Sequence, residues 1–536
     1  MLALLLFSCT SEEPTTVRGG TVDLSQPVVE STSDAGQALC AGCDILVVSI
    51  CSLRRDHVGA YGDWPGESLT PTIDALAAEG VRFDQAYATS NFTLASLTSL
   101  LTGRFGSSTG VLRWGTGLSE DVPTLPEVLG YYGYASGAFT VDAPSGLRPE
   151  YGLARGFNRF VVIEPPRSTP DGRHREGEAD VLAATAAPVS AWLAEQPPDK
   201  PLLAWLHTRS AHYPFVIEEP APGSDPTGVR RLLWDEADSG LGSTSVGPGM
   251  AGEQGTALRP EEQLDPVTHG VRQAGPAGLK VWKEAYAESV ARMDHDVAAV
   301  IEAQRARGRL DKTIVVIVAD HGESLGDNGE MLHGGGYFDG VVRVPLVIRV
   351  PGLAPGRTDQ LVSQVDLMPT LLELVGAVLP AEADGVSLIG LLRGGRKAVR
   401  GTAFSEGGPG DMPKEVFPGA VISPPWILMR QTTPCSGSGP GLLDPAAAPP
   451  PHGGPPPSPP KGGEPEIRLF TCLFDLKQPR QERNQADAHP EVVELLQGRW
   501  DGYRDAVAGR AVPNQLKLDP EFVELLQRTG YDFTGP

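Results

Sequence analysis

The sequence predicts an α/β fold: a doubly wound, mostly parallel sheet flanked by helices, then a small C-terminal antiparallel-sheet-plus-helix subdomain. Three observations predict it. Short apolar runs rich in β-branched residues alternate with helical segments between residues 45 and 350, the pattern of parallel strands joined by crossover helices. Several of these runs end in polar residues suited to chemistry, and ligands bind at the carboxyl ends of parallel strands. Beyond about Gly385 the pattern changes to two strand-like runs and a long helix, interrupted by a Pro/Gly-rich tract.

The chain opens with MLALLLFSC, which is apolar but too short to span a bilayer. Leu6-Phe7-Ser8-Cys9 resembles the lipobox of a bacterial lipoprotein, which makes Cys9 the expected lipidation site. The basic segment of a signal peptide does not precede it, so the true start codon is expected upstream of Met1. A plain apolar N-terminus is the alternative. Residues 10–39 are rich in Ser, Thr, Glu, Gly and Pro and read as a tether. Residues 1–39 are therefore taken as signal and tether of an exported protein, periplasmic or held to the cell envelope as a lipoprotein. Cys40 and Cys43 form C-x-x-C, read as a local disulfide or two idle thiols, because two ligands without a second pair make a weak metal signal.

The main domain is expected over residues 40–385. ILVVSI, from Ile45, reads as a buried strand that ends at Cys51, where a lone cysteine is either a small buried hydrophobe or part of a site. Thr70 and Pro71 start a helix that Gly80 stops. TLASLTSLLT, from Thr93, places Leu94, Leu97 and Leu101 on one helical face and is closed by Gly103. Further strands are expected at Tyr134, Arg159, Leu202, Thr313 and Val344, with a long helix before Thr313. Residues 214–278 are Gly/Pro-rich and read as an insertion. In the C-terminal part, 386–536, WILMRQTTPC and IRLFTCLFDL are expected to pair antiparallel around a disordered loop at 436–464, followed by the helix PEVVELLQGRWDGYRDAV. That pairing brings Cys435 and Cys472 face to face as an expected disulfide, two idle thiols being the alternative.

Composition narrows the function. The 536 residues carry a net charge of −23 with a pI near 4.9, which excludes nucleic acid as a partner. A small anionic substrate held in a local pocket remains compatible. Six cysteines are too few for a disulfide scaffold.

Chemistry gathers at three strand ends. TIVVIV delivers Asp320 and His321, with Gly322 easing a turn that aims both at one cation. LLAWLH delivers His207, Arg209 and His212, and the segment after Glu323 carries Asp327 and His333 among glycines. Cationic and metal-binding groups at one sheet edge make a site for an anion plus a metal.

DILVVSICSLRRDHVGAYG, LTPTIDALAAEGVRFDQAY and SLLTGRF resemble the N-terminal signature of the sulfatase family, within the alkaline phosphatase superfamily. VADHGESLGDNGEMLHG, RVPLVIRVPG, VDLMPTLLEL, and LFDL with NQADAHP are similar to its later blocks. The resemblance implies an alkaline-phosphatase-like fold with a four-strand-type C-terminal subdomain. It also implies hydrolysis of sulfate esters, or of phosphate and phosphonate esters as in relatives, by one divalent metal and a nucleophile at a helix N-terminus.

The nucleophile of most members is formylglycine, made from the first residue of a C/S-x-P-x-R motif. Here the matching block is TLASL, with Thr93 at the nucleophile position, Ala95 at the Pro position and Leu97 at the position of the Arg, or of the His in Thr-type relatives. Threonine yields no formylglycine, but metal coordination and the helix dipole favour its alkoxide; the plain alternative is that Thr93 caps its helix. Asp320 and His321 match metal ligands, while Cys51 stands where the family has an Asp, and Ser52 is neutral where many members are acidic. Calcium, the usual metal, is poorly served by a thiol. Three readings follow: a Cys51–Asp320–His321 set suited to zinc, a weakened site (calcium or manganese) that fills only with substrate, or a silent site. His212 and His333 match anion-contacting and leaving-group residues, and Arg54 is taken as a further substrate contact. The expected function is a metal-assisted hydrolase of sulfate or phosphate esters, sulfated glycans included; the alternative is an inactive binding protein that keeps the anion pocket.

Overall fold

The computed structural model describes residues 38–141, 147–163, 183–213, 215, 217, 220–221, 223–238, 270–271, 273–408, 418–431, 435, 469–478, 483–510 and 512–516. Cys9 with the tether up to residue 37, much of the expected 214–278 insertion and the 436–464 tract lie outside the described residues.

In chain order the strands of the main domain are β1 (Asp44–Ile50), β2 (Val81–Tyr87), the two-residue β3 (Thr116–Gly117), β4 (Ala135–Val141), β5 (Arg159–Ile163), β6 (Leu202–Thr208), β7 (Thr313–Ala319), β8 (Leu346–Arg349) and β9 (Gly356–Ser363). Eight of them form one sheet in the order β5-β4-β6-β1-β7-β8-β2-β9. β1 is parallel to both neighbours, β6 and β7, and all three strands are buried along their whole length. Burial on both faces is why these runs are continuously apolar rather than alternating. β8 runs antiparallel to β7 and β2, which makes the sheet mixed but mostly parallel.

The sequence reading passed over β2 and β9. In β2 Arg82 and Asp84 break the apolar run, and β9 is an edge strand with exposed polar residues, the composition that protects a free edge. The amino end of β1 is anchored by Asp44, fully buried beneath Arg307 and Arg309, with Gln304 donating to the same carboxylate.

Helix α1 (Pro71–Glu79) begins with Pro71 at the first turn. Gly80 ends it in extended rather than left-handed backbone; a Cβ there would lie 2.8 Å from the Ile348 carbonyl. Helix α2 (Thr93–Thr102) is buried on every face and stops at Gly103, which is left-handed at φ +66°. The long helix Gly275–Ala306 packs against α1 and against the helices Ala183–Glu195 and Val229–Asp238. Among the described residues no helix is long and apolar enough to cross a membrane.

The C-terminal sheet is antiparallel, in the order β10 (Ala403–Glu406), β11 (Gly419–Ser423), β12 (Trp426–Gln431), β13 (Phe470–Asp475). Sequence reading found β12 and β13 individually; β10 and β11 are four and five residues long, too short to show a period. Helix Pro490–Val507 lays Leu496 and Trp500 on this sheet against Val421, Leu428 and Leu473. Cys435 and Cys472 are joined by a disulfide, as are Cys40 and Cys43. β3 pairs with the last described strand, β14 (Asn514–Gln515).

Candidate active site

Because β6, β1 and β7 are adjacent and parallel, their carboxyl ends open on one edge of the sheet. The ladder runs one step past each end: the Cys51 amide donates to Thr208 O (2.9 Å) and the Asp320 amide to Ile50 O (3.3 Å). Ser52 then turns the chain with φ +59°, a conformation costly for a residue with a Cβ. Its amide donates to Asp320 Oδ1 (3.1 Å) and its carbonyl accepts from the Tyr286 hydroxyl (2.7 Å). These bonds hold the strained turn.

Asp320 is fully buried. Its Oδ1 accepts the amides of Ser52 and His321, whereas Oδ2 has no hydrogen-bond partner. Burial disfavours its charge, but His321, His207 and the two amides outweigh burial and hold its pKa below the ordinary value. His321 donates Nδ1–H to Gly322 O (2.8 Å), which leaves the Nε2 lone pair facing Thr93 Oγ1 at 3.3 Å and Asp320 Oδ2 at 3.5 Å. Burial keeps this imidazole's pKa low, so the lone pair stays available.

Thr93 is the first residue of α2, and the cap position belongs to Phe92, whose side chain makes no capping bond. The reading of Thr93 as a helix cap is therefore corrected. Its hydroxyl instead lies 3.4 Å from Cys51 Sγ and 3.3 Å from His321 Nε2. Burial first and the Asp320 charge second push the Cys51 thiol far above its usual range. Cys51, Asp320 and His321 converge, with one ligand atom from each within 4.8 Å of the others.

The second half of the site comes from the loop after β6 and the segment around His333. Arg209 Nη2 lies 2.8 Å from His212 Nδ1 and 3.3 Å from its Nε2, and the same Nδ1 contacts Tyr213 O. Burial, then the Arg209 charge, hold the His212 pKa well below the ordinary value. His333 Nδ1 is 3.2 Å from both oxygens of the buried Glu323 carboxylate. The His333 ring packs on His321 (centroids 4.3 Å apart) and on His212 (5.0 Å). Cys51, Thr93, Asp320, His321, His333 and His212 thus form one contiguous cluster ending at Arg209.

Three residues fall outside it. Arg54 commits its donors to Asp56 (2.6 Å), Asp327 (2.5 Å) and Glu323 O (2.8 Å), so it braces the loops instead of meeting substrate as expected. Asp327 is held by that guanidinium and by Lys283. His207 stays inside its strand, Nδ1 bonded to Ser49 Oγ, with its pKa lowered to about 4 by burial. Sequence reasoning gave no role to Glu323 or to Gln364, whose amide donates to Ala319 O and Asp320 O and accepts from Ser96. Glu323 was detectable from its place two residues past His321; Gln364 lies far away in sequence and left no signal.

A mostly parallel sheet with carboxylate, imidazole and helix-terminal hydroxyl at adjacent strand ends, beside further histidines, defines a sulfatase-like hydrolase. The family described as Sulfatase matches residues 44–377, and the chain belongs to it. It is 30% identical over 405 residues to arylsulfatase A of Bos taurus, covering 69% of this chain and 71% of that protein. It is 27% identical over 388 residues to a Delta 4,5-hexuronate-2-O-sulfatase of Bacteroides thetaiotaomicron, covering 67% and 75%. In three dimensions it is similar to the phosphonate monoester hydrolase of Agrobacterium radiobacter, with TM-score 0.60, 20% identity and coverage of 89% and 98%; at that identity the likeness shows the fold.

Proposed function

We propose that the protein hydrolyses a small anionic ester, sulfate or phosphate, with Thr93 as nucleophile and one divalent metal at Cys51, Asp320 and His321. The observation that carries this reading is the Thr93 hydroxyl, 3.4 Å from the Cys51 sulfur and 3.3 Å from the His321 lone pair.

The donors fit a metal. Asp320 Oδ2 is buried with no partner, a cost of about 1–3 kcal/mol that a cation removes. Thr93 to His321 is 3.3 Å, Thr93 to Cys51 3.4 Å and His321 to Asp320 3.5 Å, so Cys51, Asp320 and His321 would hold one small cation with the Thr93 hydroxyl beside it. The S/O/N donor set also favours zinc over calcium. A bound ion supplies Lewis-acid stabilisation of the ester oxygens and of the nucleophile's negative charge.

The chain's own residues supply the rest. Thr93 Oγ1 stands at the positive end of α2, where an anionic oxygen is favoured. Thr93 gives up its hydroxyl proton to solvent; the attack then forms an O–S or O–P bond and breaks the bond from that S or P to the departing ester oxygen. His333, its Nδ1 held by Glu323, leaves Nε2 as the atom that hands the departing oxygen a proton. Water then cleaves the threonyl ester, releasing the inorganic anion and restoring the hydroxyl. Threonine needs no conversion to formylglycine.

Sulfated glycans are the favoured substrate class, because the Bacteroides relative is named a hexuronate sulfatase. Export as a lipoprotein through Cys9 belongs to the same proposal; the disulfides Cys40–Cys43 and Cys435–Cys472 suit an oxidising compartment. The test is a panel of nitrophenyl sulfate, phosphate, phosphodiester and phosphonate substrates assayed with Zn²⁺, Mn²⁺ and Ca²⁺. Turnover that survives Thr93→Ala refutes the nucleophile.

A further inference from the structure

The anion pocket lacks a fixed cation where the family resemblance places one. Leu97 occupies that position and is fully buried in α2, so it offers the anion nothing. His212 lies next to the site but its pKa is held down, which makes it neutral at physiological pH. Arg54 is tied up by Asp56 and Asp327. Among the described residues, the guanidinium that reaches the cluster without a carboxylate partner is that of Arg209.

Arg209 is placed unusually for this protein. The chain has 67 acidic residues, yet among the described residues no carboxylate pairs with this guanidinium. Its hydrogen-bond partner there is His212, a neutral ring that itself gains nothing from a cation. Its Nε–H is buried with no partner. His212 in turn packs on His333, and His333 on His321, so the guanidinium sits at the end of the site's own cluster. A half-buried guanidinium with a buried, unused Nε–H is poised for an anionic ligand. A guanidinium presenting Nε–H and a terminal N–H side by side matches two oxygens of a tetrahedral oxyanion.

We infer that Arg209 binds the non-bridging oxygens of the sulfuryl or phosphoryl group, replacing the cation that Leu97 removes. Resting against His212, it holds that ring until the anion arrives and takes over its N–H groups. The inference rests on the reading of the site as one for anionic esters, but its test does not require turnover.

The test is calorimetric titration of the full chain with inorganic sulfate and with inorganic phosphate at constant ionic strength, comparing wild type, Arg209→Gln and Arg209→Lys. Thermal unfolding checks that each variant folds. Arg209→Gln should weaken the preferred anion at least about tenfold, the value of one charge-assisted bond pair, and Arg209→Lys should weaken it less. Should Arg209→Gln fail to fold, labelling of the wild type with an arginine-specific dicarbonyl, read by peptide mass spectrometry, replaces it. The anion should then protect Arg209. Binding within about twofold of wild type in Arg209→Gln, no protection, or no binding of either anion to the wild type overturns the inference. Arg209-dependent anion binding without hydrolysis of any ester would instead sink the proposed activity and leave Arg209's role standing.

Discussion

Replacing Cys51 by Asp tests the proposed metal site. The Cys51 side chain is fully buried, and its sulfur lies within 4.8 Å of a ligand oxygen of Asp320. A second carboxylate at that separation repels the first by about 3 kcal/mol at an effective dielectric constant of 20. Without metal, Cys51→Asp should therefore be about 3 kcal/mol less stable than wild type, or take up a proton at one of the two acids. A hard divalent ion reverses the sign, because two buried anions now face one cation. Calcium at 100 times its dissociation constant then restores about 2.7 kcal/mol. Denaturant unfolding in chelator, calcium and zinc, with direct calcium titration, measures both effects. Wild type should respond to zinc far more than to calcium, and the variant should gain calcium affinity. Equal stability in chelator together with unchanged calcium binding would show that Cys51 does not face the metal donors.

Four further outcomes follow from named contacts. Thr93→Ala should abolish ester turnover while costing at most ~1 kcal/mol by denaturant melt, since Thr93 is not the helix cap. Cys435→Ser opens the Cys435–Cys472 loop, separated by 37 residues, and should cost about 4 kcal/mol in the chain-entropy model; mass spectrometry of the oxidised protein checks the bond. Asp44→Asn removes the buried partner of Arg307 and Arg309 and should cost ~3–5 kcal/mol, read from unfolding curves at pH 7. Asp296, buried against Ser210, has its pKa raised to about 7 by burial. A carboxyl with a raised folded pKa contributes stability when protonated, present below pH ~4 and lost as pH rises through ~7. Asp296→Asn should flatten that part of the pH–stability profile, and an unchanged slope between pH 4 and 7 would refute the assignment.

Much of the main sheet was readable because its central strands are buried on both faces. ILVVSI, LLAWLH and TIVVIV leave no room for polar residues, so each stands out from its flanks. Edge and short strands such as β9 and β10 were not readable, since exposure and brevity erase the period. The site was legible as a set of residue types at strand ends: Cys51, Thr93, Asp320, His321, His212 and His333 were all named. Arg54 was misplaced because a sequence reveals a cation but not the carboxylates already folded around it.

By itself, then, the sequence determined the fold class, the family and most of the residues that meet at the candidate site, because periodicity and ordered motifs are local properties of the chain. Tertiary structure alone decided which of them meet. It set Thr93 between Cys51 and His321, left Asp320 Oδ2 without a partner, gave Glu323 to His333 and left Arg209 without a carboxylate among the described residues. Those relations depend on three parallel strands lying side by side, and on distances of a few ångströms between residues such as Thr93 and His321, 228 positions apart. Hydrogen bonding and desolvation act over such distances, and no pattern along one chain records them.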